Sequence, residues 1–152
     1  MPQPVITTAR TARHGLPYLF AGQAQKEAFV NEALARIDAL VQPSVLALRS
    51  DPPATPVSGD CYLIGPAPTG VWQDRSGAIA CWAESQWLFA DPTQGALVYD
   101  RAADCLAAYD GAAGWRYAVT PAAPSGGATQ DGEARAALAA VVAGLRTLGI
   151  FA

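Results

Sequence analysis

Positive charge is scarce in this chain: one lysine, Lys26, accompanies nine arginines, none of them clustered, and the net charge is −3. Binding a nucleic acid needs a basic patch that displaces counterions from phosphates, so DNA and RNA are not expected as direct partners. Charged residues of either sign make up 15% of the 152 residues, against about a quarter in an average soluble protein. A surface so poor in charge favours extensive contact with other subunits. The three cysteines, Cys61, Cys81 and Cys105, are odd in number and form no Cys-x-x-Cys, which points to neither a disulfide framework nor a zinc site. Each lies in an apolar run, where a free cysteine acts as a small buried hydrophobe, as suits a reducing cytosol. The segment MPQPVITTARTARHG has no continuous apolar stretch and does not read as a secretory signal. The longest late apolar run, ALAAVVAGL, is far shorter than the ~20 residues of a membrane span, so no membrane contact is expected.

Hydrophobic residues amount to 51%, and their spacing changes along the chain. Within an arm and helix over 1–43, residues 22–41 repeat Phe29, Ala33, Ile37 and Leu40 at helical intervals, and Glu32 and Arg36 stand one turn apart. Pro43 ends the pattern. Over 44–119 the period shortens to seven strand-like runs rich in β-branched and aromatic residues, separated by turn signals such as Ser58-Gly59-Asp60 and Glu84-Ser85. This predicts a small antiparallel meander or sandwich-like unit, with both sheet faces largely apolar. A Pro/Gly-rich linker follows over 120–130, then a second helix within 131–152. Its Ala134, Leu138, Val141, Leu145 and Leu148 follow an alternating four-three rhythm, the spacing of a coiled-coil seam. Such a helix either folds back on its own domain or sits at an oligomer axis; the apolar tail Gly149-Ile150-Phe151 suits docking on a neighbour. The fold class is α+β.

Chemistry-bearing motifs are few. His14 has no Ser or Cys signature around it, and no phosphate-binding glycine loop or His-x-x-x-His occurs. No cofactor, metal or catalytic residue is expected, and the chain does not read as an enzyme. Two well-placed carboxylates would suffice for a glycan hydrolase, but Asp60, Asp74, Glu84, Asp91, Asp100, Asp104 and Asp110 all fall at turns, where such residues cap the backbone. The aromatics are concentrated in the β unit: Trp72, Trp82, Trp87 and Trp115 serve as core and interface anchors or, exposed, as a platform for host surface polysaccharide. The apolar pentad Leu16, Pro17, Tyr18, Leu19 and Phe20 precedes the first helix. It either caps the sheet or anchors the chain to another component.

The stretches LPYLFAGQAQKEAFVNEALARIDALV, SGDCYLIG and SQWLFADPTQGALVYD resemble a phage-associated domain family of unknown function. Its members occur in tail-fibre and spike proteins of phages and prophages and in gene transfer agents of alphaproteobacteria. The resemblance rests on Leu16 to Leu19, Gln23 to Glu27, Asn31 to Leu34 and Asp38, then on Gly59, Asp60, Tyr62, Trp87, Pro92, Gly95, Tyr99 and Asp100. It implies a homo-oligomeric virion component, a head spike or the base or adaptor of a tail fibre, assembled in the bacterial cytoplasm and displayed on the virion surface. Other virion proteins would be its partners, with the pentad as assembly anchor and Leu138, Val141, Leu145 and Leu148 as oligomer seam. Many relatives continue into a long fibre or receptor-binding region, whereas this sequence ends after one short helix, so a base, adaptor or small spike is expected rather than a whole fibre.

Overall fold

A computed structural model of the chain describes residues 9–20, 22, 26–112 and 114–152. Two helices, α1 (Lys26–Leu40) and α2 (Gly132–Thr147), flank eight strands: β1 (Ser44–Val45), β2 (Leu48–Arg49), β3 (Cys61–Ile64), β4 (Ile79–Ala83), β5 (Gln86–Ala90), β6 (Leu97–Asp100), β7 (Cys105–Tyr109) and β8 (Trp115–Tyr117). The α+β organisation is as the periodicities predict. The described part of α1 begins at Lys26 and Gly22 lies in a turn; the alternative expected start, Gln23, lies with Ala24 and Gln25 outside the described residues.

The strands form two sheets of four, ordered β1-β6-β7-β8 and β2-β3-β4-β5. Neither is purely antiparallel, which corrects the meander expectation. The first of the seven strand-like runs, SVLALRS over 44–50, divides in two. β1 pairs in parallel with β6, Ser44 opposite Tyr99, and β2 pairs in parallel with β3, Leu48 opposite Leu63. Backbone bonds follow the same split: Tyr99 N–H donates to Pro43 O and Arg101 N–H to Val45 O, whereas Gly65 N–H donates to Arg49 O. One six-residue crossing thus stitches the two sheets, an arrangement that strand-length runs and turn signals do not encode. The remaining pairings are hairpins. The tightest, β4–β5, turns through Glu84 and Ser85, both left-handed at φ 50° and 61°, as a two-residue type I′ connection requires.

The core lies between the sheets. Val45, Leu63, Val98 and Ala107 are almost wholly buried there, with Cys61, Ile79, Cys81 and Ala39 of α1 around them. Side chains alternate across a strand, so Tyr62, Ile64, Ala78 and Ala80 fall on the opposite face of the second sheet. That face is covered by Trp72, fully buried on a short 3₁₀ turn over Gly70–Trp72. The doubly apolar sheet therefore has two covers, one being the other sheet and the second an indole. Truncating such a buried tryptophan to alanine costs about 3–5 kcal/mol.

The register corrects the reading of the cysteines. Cys61 and Cys81 stand directly opposite on β3 and β4, with Cα atoms 4.1 Å apart, and are joined as a disulfide. Trp82 N–H donates to Asp60 O and Ile64 N–H to Ala78 O, so the Cys61–Cys81 position between them is a non-hydrogen-bonded pair, where opposed side chains approach most closely. A spacing of twenty residues says nothing of this until the pairing of the strands is known. Cys105 remains a free, buried thiol, its pKa pushed up by burial and by the nearby carboxylates of Asp100 and Asp104.

At the end of β6, an inner strand of the first sheet, Asp100 is buried; it accepts from the backbone N–H groups of Ala102 and Ala103 and from the Tyr117 hydroxyl at 2.6 Å. Burial, then the bond to Asp100 and its charge, raises the Tyr117 pKa well above the ordinary 10.0. A phenol whose folded pKa is raised favours the fold fully below its unfolded pKa and loses that contribution as pH climbs above about 10. Chemical denaturation between pH 9 and 12 should therefore show stability falling with pH, and Tyr117→Phe should make that fall shallower. An unchanged slope would contradict the assignment.

Candidate assembly surfaces and the aromatic groove

Residues 10–18 fold into a tight turn, with Arg10 bridging Pro17, Thr11 N–H bonded to Leu16 O and Tyr18 N–H bonded to Ala9 O. A single buried carboxylate fastens this turn to α1. Asp38 accepts from Thr11 Oγ1 at 2.7 Å, from Arg13 N–H at 2.9 Å and from His14 N–H at 2.7 Å. In return, the Arg13 guanidinium donates to the carbonyls of Asp38, Ala39 and Gln42, capping oxygens that the helix end leaves unpaired. A His14 ring nitrogen lies 3.0 Å from Val41 O. Asn31, two turns earlier, holds the arm a second time: Leu19 N–H donates to its Oδ1, and its Nδ2 donates to Leu19 O. The motif residues Asn31 and Asp38 are thus clasps. An aspartate amid the helix's apolar positions was the signal for the second of them.

The clasp decides which way α1 faces. Its buried positions are Ala35, Asp38 and Ala39. The large apolar residues lie on the opposite side of the helix: Phe29 is 77% exposed, and Val30, Ile37, Leu40 and Val41 are also uncovered. Of the pentad, Tyr18 is buried and Leu16 half-buried, whereas Pro17, Leu19 and Phe20 are exposed. One aromatic ring therefore caps the body while its neighbours face outward. Burial, with the charges of Glu84 and Asp38, raises the Tyr18 pKa.

α2 is mostly uncovered, with no fully buried residue in sixteen and only Arg135, Val142 and Leu145 half-buried. Asp131 caps its start, accepting from Ala134 N–H. It ends in a Schellman motif, Gly149 N–H to Arg146 O and Ile150 N–H to Leu145 O. Gly149 is left-handed at φ 68°, and a Cβ there would lie 2.9 Å from the Tyr99 ring, so only glycine fits. The tail beyond it docks on the chain's own first sheet, not on a neighbour as its apolar character suggests: Leu106 N–H donates to Gly149 O, and Phe151 bridges Ala118. Along the seam, Leu138, Val141 and Leu148 are exposed and Leu145 is half-buried.

The four tryptophans do not form one platform. Trp72 has no exposed surface. Trp87 stacks edge-to-face against it and against its cross-strand partner Trp82, each at 5.0 Å between ring centres. Trp115 lies on the other sheet, beside Tyr109, and donates from Nε1 to Gly77 O. Half-exposed Trp82 and Trp87 are the pair that shares a face. Beside them, an open groove of about 590 Å³ runs between α1 and β5, the edge strand of its sheet; Asn31, Arg36, Arg75, Trp87 and Phe89 help line it. The Arg75 guanidinium lies over the Phe89 ring at 5.1 Å. Sequence periodicity locates these residues on a helix and a strand but not in one groove.

Removing the Asp38 carboxylate would leave three buried or half-buried donors without an acceptor. Since a hydrogen bond to a charged group contributes about 1.5–3 kcal/mol, Asp38→Ala should cost about 3 kcal/mol in urea unfolding and expose the 10–18 turn to protease. Loss of less than about 0.5 kcal/mol would show that the clasp is not structural.

Among the described residues no helix is long and apolar enough to cross a membrane. No curated protein and no solved structure matches the chain. A family model, described as "Protein of unknown function (DUF2793)", matches residues 30–116, which take in Asn31, Asp38 and both sheets but for the last residue of β8, and stop short of the linker and α2. With more than half of its length matched, and the matched part coinciding with the clasped helix and the two-sheet body, the chain belongs to the DUF2793 family.

Proposed function

We propose that this protein is a homo-oligomeric structural component of a phage or gene-transfer-agent particle, a head spike or the base or adaptor of a tail fibre, acting in assembly and host attachment rather than as an enzyme. The observation that carries this reading is the outward display of apolar side chains by both helices. Burying a leucine, valine or phenylalanine is worth roughly 1.5–3 kcal/mol, and an isolated helix of about fifteen residues is marginal in water. A chain that leaves Phe29, Ile37, Leu40, Leu138, Val141 and Leu148 uncovered gains most by covering them with other chains. The motif resemblance around Leu16 to Asp38 supplies the virion context. The exposed pentad residues Pro17, Leu19 and Phe20, on the arm that Asn31 holds, add further uncovered apolar side chains.

A second reading has its own observation. Trp82 and Trp87 present half-exposed indoles next to the α1–β5 groove, whose amide, guanidinium and aromatic groups have the chemistry to hold a sugar ring. On this reading the protein is a carbohydrate-binding module for host surface polysaccharide.

Because Val141 is 58% exposed in the single chain, Val141→Asp should leave the circular dichroism and unfolding midpoint of the β body unchanged while shifting sedimentation from oligomer to monomer. Wild-type chains that sediment as monomers at every concentration would overturn the structural reading. For the glycan reading, indole fluorescence should change on titration with capsular or cell-wall polysaccharide, and Trp87→Ala should weaken that binding at least tenfold. No change with the wild type would eliminate it.

A further inference from the structure

We propose that the seam of α2 in one copy seats on the outward stripe of α1 in a neighbouring copy, parallel and in register, so that every copy offers one helix and receives another. This inference rests on the homo-oligomeric reading above and names the surfaces that make the contact.

Three observations carry it. First, the two uncovered faces share one rhythm. On α1, Lys26, Val30, Ala33, Ile37 and Leu40 are spaced four, three, four and three; on α2, Ala134, Leu138, Val141, Leu145 and Leu148 repeat that spacing. Two such faces interdigitate at the shallow crossing angle of coiled coils. Second, the helices match in length at 15 and 16 residues, so one seats along the whole of the other. In register, Val30 meets Leu138, Ala33 meets Val141, Ile37 meets Leu145, and Leu40 meets Leu148.

Charge selects the partner. Lys26 sits at the first seam position of α1, and Asp131 and Glu133 lie at the start of α2, all three exposed. Parallel pairing of α1 with α2 brings the lysine beside both carboxylates. Pairing like with like, as a rotation axis running along the helices would impose, sets Lys26 against Lys26 or Glu133 against Glu133. An antiparallel α1–α2 pair is disfavoured too, because it moves Lys26 toward Arg146 in the last turn of α2. The chain does not satisfy the contact within itself, since Phe29 is 77% and Leu148 71% exposed in the single copy. A head-to-tail contact of this kind closes into a ring when its rotation divides a full turn, and it covers both stripes in one step. Association of α2 with α2 alone would leave α1 bare.

The test uses the full chain with the photoreactive residue benzoylphenylalanine at position 141 (Val141→benzoylphenylalanine), irradiated at a concentration where sedimentation shows oligomer. The expected product is a dimer whose cross-link maps by mass spectrometry to residues 30–37 of a second, isotope-labelled copy. Cross-links to α2 of the second copy, to α1 of the same copy, or none at all in a sedimenting oligomer would each overturn the contact while leaving homo-oligomerisation standing. A chain that is monomeric throughout would overturn both. Lys26→Glu gives an independent readout: placing a carboxylate against Asp131 and Glu133 should raise the dissociation constant about threefold to tenfold. Like-with-like pairing predicts no change, because one repulsion would merely replace another.

Discussion

The orientation of α1 is the constraint on which the rest of this structure turns. A helix with Phe29, Val30, Ile37 and Leu40 on one side would, left to hydrophobic burial alone, put that side inward. Here the three donors gathered by the Asp38 carboxylate, and the carbonyls gathered by Arg13, hold the opposite side against the body. A buried carboxylate is costly unless its oxygens are bonded, and only this orientation lets the 10–18 turn reach it. Small Ala35 and Ala39 then permit close approach to the sheet. The large residues are left facing outward as a consequence.

The β body supplies a rigid platform for that display. The crossing from Ser44 to Arg49 ties the two sheets together, the core between them is closed by Val45, Leu63 and Val98, and Trp72 seals the outer face. These contacts satisfy the body without calling on either helix's apolar stripe. The C-terminal residues repeat the arrangement at the other end, where Gly149 and Phe151 fasten α2 to the first sheet and leave its length free. Both helices are thus rooted at defined points and uncovered along their faces, as suits parts that meet other chains.

Much of this architecture was legible in the residue pattern, because helix and strand periods are local properties. The 3.6-residue period marked both helices, and alternation bounded by glycine and aspartate marked the hairpins, with Asp131 and Gly149 fitting the ends of α2. What escaped was everything that depends on how elements meet. The direction of α1 depends on a carboxylate 25 residues from the turn it holds. The Cys61–Cys81 bond depends on hairpin register, and the parallel β1 and β2 pairings on a strand that changes sheets midway. Among the site residues, the spacing Leu138, Val141, Leu145, Leu148 falls on a face of α2 that is exposed except at half-buried Leu145. The tryptophans were grouped by type although the sheets separate them, and the α1–β5 groove had no signature of its own.

The most direct measurement is hydrogen exchange of the α2 amides as a function of chain concentration. A lone, solvent-bathed helix of this length opens readily, whereas one covered by another chain is protected in proportion to the population of the assembly. The account predicts protection across residues 134–147 that rises as the chain is concentrated and falls on dilution. Strong protection that stays constant down to concentrations where the chain is a monomer would mean that α2 is covered by its own body, and would contradict it.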